Sequence, residues 1–196
     1  MTTARELAMR GFSVSLFEKN KTGCESSWAA GGILSSMRPW SEEPYSSELS
    51  NLGKECYADF VEELKQQTGI DSEYYQSGLL IVNETDVKHS RQWADKNKVI
   101  IAENYKDHPT DMRIPANSIF LPEIAQVRIP RLLKALRASL LKLGVTIFEN
   151  STVTGLQLDK RRCKSVQLGS EKYYADTLLF LQVSGVNRSW GQIIVG

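Results

Sequence analysis

Apolar residues recur along this chain in two rhythms, one helical and one strand-like, and the order in which they alternate is informative. Ala4, Leu7 and Ala8 fall on one face of a helix expected to run to Arg10, and Gly11 follows as the residue suited to a left-handed helix end. The short, β-rich run Val14-Ser15-Leu16-Phe17 comes next and terminates in Glu18. Helix, glycine turn, strand and acid make the second half of a βαβ unit. So short a helix cannot cover its own apolar face, so a strand is expected ahead of it. Met1-Thr2-Thr3 stands where the first helical turn after a GxGxxG would lie, and Met1 reads as an internal methionine.

Farther along, Leu52, Cys56, Phe60 and Leu64 share a face, with Tyr57 and Val61 beside them, which predicts a helix from about Glu48 to Thr68 closed by Gly69. A strand is expected over Ser77 to Val82, a helix over Val87 to Lys98, and a loop over Tyr105 to Asn117, which contains Pro109 and Pro115. Pro130, Leu133, Leu136, Leu140 and Leu143, with Gly144 next, describe a helix with proline in its first turn and glycine past its end. Strands are expected at Val145 to Phe148, Val153 to Leu158 and Lys164 to Leu168, and a buried one within Ala175 to Leu181. No internal repeat is evident.

Composition narrows the function classes. With 41% hydrophobic and 24% charged residues the chain has an ordinary globular make-up. Its 24 basic and 23 acidic residues leave a formal charge of +1 and no footprint for nucleic acid or an anionic membrane. Cys24, Cys56 and Cys163 are far apart, without a CxxC pair or metal-ligand spacing, as expected of reduced thiols in a cytoplasmic protein. No apolar stretch approaches the roughly 20 residues of a membrane span, and Arg5, Glu6 and Arg10 stand where a signal peptide needs an apolar run. His89 and His108, isolated among polar residues, are expected at the surface.

The candidate chemistry begins at Glu18. An acid ending the second strand of a nucleotide-binding unit accepts hydrogen bonds from the ribose hydroxyls of an adenosine; a lone strand-end carboxylate is otherwise a solvated charge. The segment from Gly23 to Leu34 changes those odds. Its small residues let backbone approach a flat ligand, and Ser26 and Ser27 offer hydroxyls and N–H groups to a pyrophosphate at a helix start.

Three stretches together carry a family resemblance: Ala4-Arg5-Glu6-Leu7-Ala8 to Gly11 with the strand ending in Glu18; Ser26-Ser27-Trp28-Ala29-Ala30-Gly31-Gly32-Ile33-Leu34; and Leu121-Pro122-Glu123-Ile124-Ala125-Gln126-Val127-Arg128-Ile129-Pro130-Arg131-Leu132-Leu133. With Ser77-Gly78-Leu79-Leu80, they resemble the FAD-dependent glycine oxidase and D-amino-acid oxidase family, nearest the bacterial glycine oxidases of thiamine biosynthesis. The resemblance implies an α/β fold: an incomplete Rossmann-like FAD-binding domain (1–47 and 121–196) with an inserted, partial α+β substrate domain (48–120). It implies FAD as cofactor, with Glu18 and Lys19 at the adenosine ribose, Ser26 and Ser27 near the pyrophosphate, Gly31, Gly32 and Ile33 along the ribityl chain and isoalloxazine, and Val153 at the adenine. The implied reaction is oxidative deamination of glycine, a small amine or a D-amino acid with formation of H2O2. A small amino-acid or amine substrate is thus the expected partner, and a homo-oligomer is compatible with it.

No catalytic residue is assigned, because the family's carboxylate-binding arginine and active-site aromatics match nothing before position 196; Arg38 and Arg128 read as surface or structural groups. The end of the chain departs from the family pattern, with Gln182 and Asn187-Arg188 ahead of Ser189-Trp190. The chain is therefore expected to be a fragment that holds FAD poorly, the alternatives being a non-catalytic remnant, a D-amino-acid dehydrogenase or a sarcosine oxidase. An NAD-dependent dehydrogenase would share the acid but leaves Ser26 to Leu34 unexplained.

Overall fold

The computed structural model describes residues 1–35, 38–41, 44–102, 114–159, 162–181 and 192–195. The chain runs α1 (Thr2–Met9), β1 (Ser15–Glu18), a 3-10 turn at Pro39–Ser41, α2 (Pro44–Thr68), β2 (Leu79–Ile81), α3 (Glu84–Asn97), β3 (Ile119–Leu121) and α4 (Ile129–Lys142). There follow β4 (Thr146–Phe148), β5 (Gly155–Asp159), β6 (Arg162–Leu168), β7 (Glu171–Tyr174), β8 (Leu178–Leu181) and β9 (Gln192–Val195). Two units divide these elements: residues 1–30, 64–70 and 129–196 form the first, and 31–63 and 71–128 the second.

The first unit is built on a sheet of order β4-β1-β9-β8. β1 and β4 are parallel, with Phe17 opposite Phe148, whereas β9 runs antiparallel to both β1 and β8. Helices α1 and α4 feed β1 and β4 through Gly11 and Gly144, whose φ values of +86° and +77° are left-handed. Glycine takes that conformation without the clash a Cβ brings. Ala4, Val14, Leu16, Leu140 and Val145 form a core between these helices and strands, with Leu7, Ala8 and Leu143 packed against it. Arg5 is buried beside this core, its Nε donating to Ser139 Oγ at 3.1 Å and its Nη2 to Gln67 Oε1 at 3.5 Å. A buried guanidinium is tolerable only with such acceptors. The antiparallel meander β5-β6-β7 closes over a second cluster, in which Phe17 stacks on Phe148 at 4.7 Å and meets Tyr173 edge-on at 4.9 Å.

The second unit packs α3 against the β2–β3 hairpin through Ile81, Val87, Ile119, Leu121 and Ile124, with Trp40 and Trp93 at its margin. Helix α3 starts at Glu84, ahead of the expected Val87, because Asn83 accepts hydrogen bonds from the N–H groups of Thr85 and Asp86.

Two expectations need correction, and the two units are drawn differently from the expected domains. The stripe on α2 is not a buried face along its length: Val61 and Leu64 are buried, but Leu52 and Cys56 are exposed. Periodicity identifies residues that share a face; whether another layer covers that face is a tertiary matter. The domain boundaries expected at 47/48 and 120/121 do not coincide with the units. Residues 32–34 and 125–127 bond to one another, Val127 N to Gly32 O at 2.9 Å and Leu34 N to Ala125 O at 2.8 Å, which draws both segments into the second unit. Strands β3, β7 and β9 lie where none was expected, being short and, for β7, mostly polar. Most of the expected loop over Tyr105 to Asn117, and the departure at Gln182 to Trp190, lie outside the described residues.

Candidate cofactor site

In an open α/β sheet ligands bind beyond the carboxyl ends of parallel strands, because the connecting loops and helix N-termini gather there. β1 and β4 end at that edge with the same pair of residues, Phe17-Glu18 and Phe148-Glu149. The phenylalanines stack beneath and the acids serve the loops above. Glu18 is only 5% exposed; its Oε1 accepts from Asn20 N at 3.1 Å, and its carbonyl accepts from Ser151 N at 2.9 Å. Asn150 N donates to Asn20 O at 2.9 Å, so the loop after β1 is tied to the loop after β4. Asn150 itself has φ +54°, a conformation that asparagine tolerates better than most residues.

Glu149 completes the tie from the other side. Its Oε1 accepts from Thr22 N at 3.0 Å and lies 3.5 Å from Arg137 Nε. The Thr22 N–H holds the Glu149 carboxyl below the usual carboxylate pKa; partial burial opposes this and Arg137 assists.

The Ser26-Ser27 segment is anchored to the same strand tip through Glu25. Asn20 Nδ2 donates to Glu25 Oε1, and Lys19 Nζ lies 3.9 Å from that oxygen. Ser26 and Ser27 are exposed, in turns closed by Trp28 N to Glu25 O and Ala30 N to Ser27 O. No helix starts there, which corrects the expectation of N–H groups at a helix N-terminus; an anion would meet hydroxyls and turn amides. Gly31, Gly32 and Ile33 belong to the second unit. Gly32 is buried with φ +77°, Ile33 bridges to Gln126, and the Ile33 side chain is 44% exposed.

Val153 packs against the Phe17 and Val166 cluster, so its side chain serves the core. Of the eight candidate residues, Glu18, Lys19, Ser26, Ser27 and Val153 thus fall within the first unit, the first four joined by the Asn20 and Glu25 contacts. Asn20, Thr22, Glu149 and Ser151, which hold the tip in shape, were missed. The repeated Phe-Glu at two strand ends was the available signal.

Arg38 pairs with Asp86 at 3.1 Å and Arg128 with Glu73 at 3.5 Å, both arginines being about two-thirds exposed, as surface ion pairs are. His89, Cys24 and Cys56 are exposed. Among the described residues no cluster of His, Cys, Asp and Glu could hold a metal ion, and no helix is long and apolar enough to cross a membrane.

Comparison with known proteins gives the family. The chain is 32% identical over 185 residues to the glycine oxidase of Pseudomonas aeruginosa and 31% identical to that of Pseudomonas putida, each alignment covering 91% of this chain and 51% of the relative. The chain therefore spans about half the length of the curated relatives it matches. The fold matches the crystal structure of glycine oxidase from Bacillus cereus with a TM-score of 0.76 at 23% identity, over 88% of this chain and 49% of that one. The model of the family described as FAD dependent oxidoreductase (DAO) matches residues 1–181, and the chain belongs to that family, whose cofactor is FAD.

Proposed function

We propose that this chain carries the nucleotide-binding part, and the beginning of the substrate part, of an FAD-dependent oxidoreductase that oxidises glycine, a small amine or a D-amino acid to the imine, which water hydrolyses to the carbonyl product (a 2-oxo acid from an amino acid) and ammonia or an amine, while O2 takes up the two electrons and becomes H2O2. The observation that carries this reading is the buried Glu18 at the carboxyl end of β1, with Ser26 and Ser27 anchored beside it through Glu25. Strands β4, β1 and β8 share one direction, which suits a Rossmann-like half; the second unit then represents the start of the substrate domain. The glycine oxidase relatives favour glycine or a similarly small amine, and a role in thiamine biosynthesis belongs to the same proposal.

FAD, when bound, supplies the two-electron acceptor for the α-hydrogen of the amine. The work of these residues is to hold its adenosine end. Glu18 would accept from the ribose hydroxyls, with Lys19 along the same edge, and the Ser26 and Ser27 hydroxyls would donate to the pyrophosphate. The backbone around Val153 would border the adenine.

The test is a graft. Residues 1–181 replace the matching segment of the Pseudomonas aeruginosa glycine oxidase, and the product is examined for bound flavin and for H2O2 release with glycine, sarcosine and D-alanine. A yellow protein active on at least one substrate is expected, and Glu18→Ala in the graft should weaken FAD by ~10-fold or more, the loss of charge-assisted hydrogen bonds worth about 1.5–3 kcal/mol. A graft that folds cooperatively yet stays colourless refutes the reading.

A further inference from the structure

In the strand order 3-2-1-4 of a nucleotide-binding sheet, the place beside the second strand, on the side away from the third, belongs to the first strand. On the reading above, β1 is the second strand, β4 the third and β8 the fourth. The place between β1 and β8 is filled by β9. Residues Ser15 to Glu18 pair with Val195 to Gln192 on one side, and Leu178 to Leu181 pair with Val195 to Gln192 on the other. β9 lies past the segment that matches the family, which ends at residue 181, and it runs antiparallel where its three sheet companions are parallel.

We infer that the gap between β1 and β8 is a strand-binding groove, occupied in cis by Gln192–Val195, and that this occupant excludes the parallel strand on which dinucleotide binding depends. The inference rests on the nucleotide-binding reading of the sheet. Two observations fix its chemistry. Both facing edges, on β1 and on β8, are engaged by β9, so the groove takes one extended strand and its ladder is saturated. The neighbours Leu16 and Leu179 lie in or against the apolar core, so the groove selects an apolar strand.

Polarity decides the exclusion. A strand leading through a glycine turn into α1 must leave the sheet at the Glu18 end, where the N-terminus of that helix meets the pyrophosphate. β9 instead begins there, with Gln192 opposite Glu18. While β9 holds the groove, the phosphate-binding turn has no strand to emerge from.

The experiment uses the full chain with Cys24, Cys56 and Cys163 changed to Ser. Paired Cα atoms in a ladder stand about 4.5–5.5 Å apart, within the range a disulfide spans. The pair Ser15→Cys with Val195→Cys should therefore close on mild oxidation, as should the antiparallel control pair Gln167→Cys with Lys172→Cys, both read by peptide mass. Hydrogen exchange on the unmodified chain gives an independent reading, since β8 is bordered in its sheet by β9 alone: residues 178–181 and 192–195 should be protected together. Fast exchange at 192–195, or closure of the control pair without the test pair, overturns the occupancy. Fused behind a strand and GxGxxG turn that could enter the groove, the oxidised chain should retain no FAD after desalting, and its reduced form should retain more. Flavin retained with the disulfide closed overturns the exclusion and leaves the nucleotide-binding reading intact, whereas a colourless graft of residues 1–181, which lacks β9, would sink that reading without touching the crosslink.

Discussion

Gly78 is the position where backbone conformation and side-chain space can be separated by measurement. It stands at the entrance to β2 with φ +70°, its N–H donating to Ile124 O at 2.8 Å. A Cβ placed on it would lie 2.0 Å from Phe120 Cζ and 2.3 Å from Phe120 Cε2. Gly78→Ala therefore carries two costs. The left-handed backbone costs an L-residue about 1–2 kcal/mol. Displacing the ring costs about 1–3 kcal/mol more, the usual range for overpacking. The sum is about 2–5 kcal/mol. In a Phe120→Ala background the ring is gone and only the backbone cost should remain. The two substitutions should then be non-additive by about 1–3 kcal/mol, as expected for residues in direct contact. Urea unfolding followed by tryptophan fluorescence reads this unit, because Trp40 and Trp93 border its core. If Gly78→Ala costs the same with and without the Phe120 ring, the overlap does not exist in solution and the argument from close approach fails.

Phe17→Ala should destabilise the first unit by about 3–5 kcal/mol, since it removes a fully buried ring stacked on Phe148; a loss under about 1 kcal/mol by circular dichroism in urea would show that cluster to be loose. Asn83→Ala should cost about 1 kcal/mol by removing the cap of α3, and a glycine at the same place should cost less. Glu149→Gln tests a pH dependence. The folded pKa of Glu149 lies below its ordinary value of 4.5, so its contribution is present above that value and lost as pH falls through the lowered one. The variant should be less stable at neutral pH and should lose less stability on acidification than the parent; parallel pH curves from denaturant titrations would refute the role of the Thr22 N–H.

Much of the local structure was legible in the residues themselves. α1, β1 and α4 were predicted because glycines at 11 and 144 punctuate runs whose apolar spacing changes from helical to strand-like. Those signals are local, encoded within a few residues of the element they describe. The acid at the tip of β1 and the Ser26-Ser27 segment behind it also stood out, because they are the residue types that the proposed nucleotide site would need. Their anchoring was not. Asn20, Thr22 and Glu149 act through partners that are in part far away in sequence, and no spacing rule joins Thr22 to Glu149.

What the sequence determined alone, then, was the helices and strands that glycines punctuate, the family and the residue types at the tip of β1. Tertiary structure decided which stripe of α2 is covered, which segments pair across the second unit, and which strand lies between β1 and β8. That last choice is the least local of all. A strand finds its place by the edges open to it and the apolar surface above and below, and both belong to other parts of the chain.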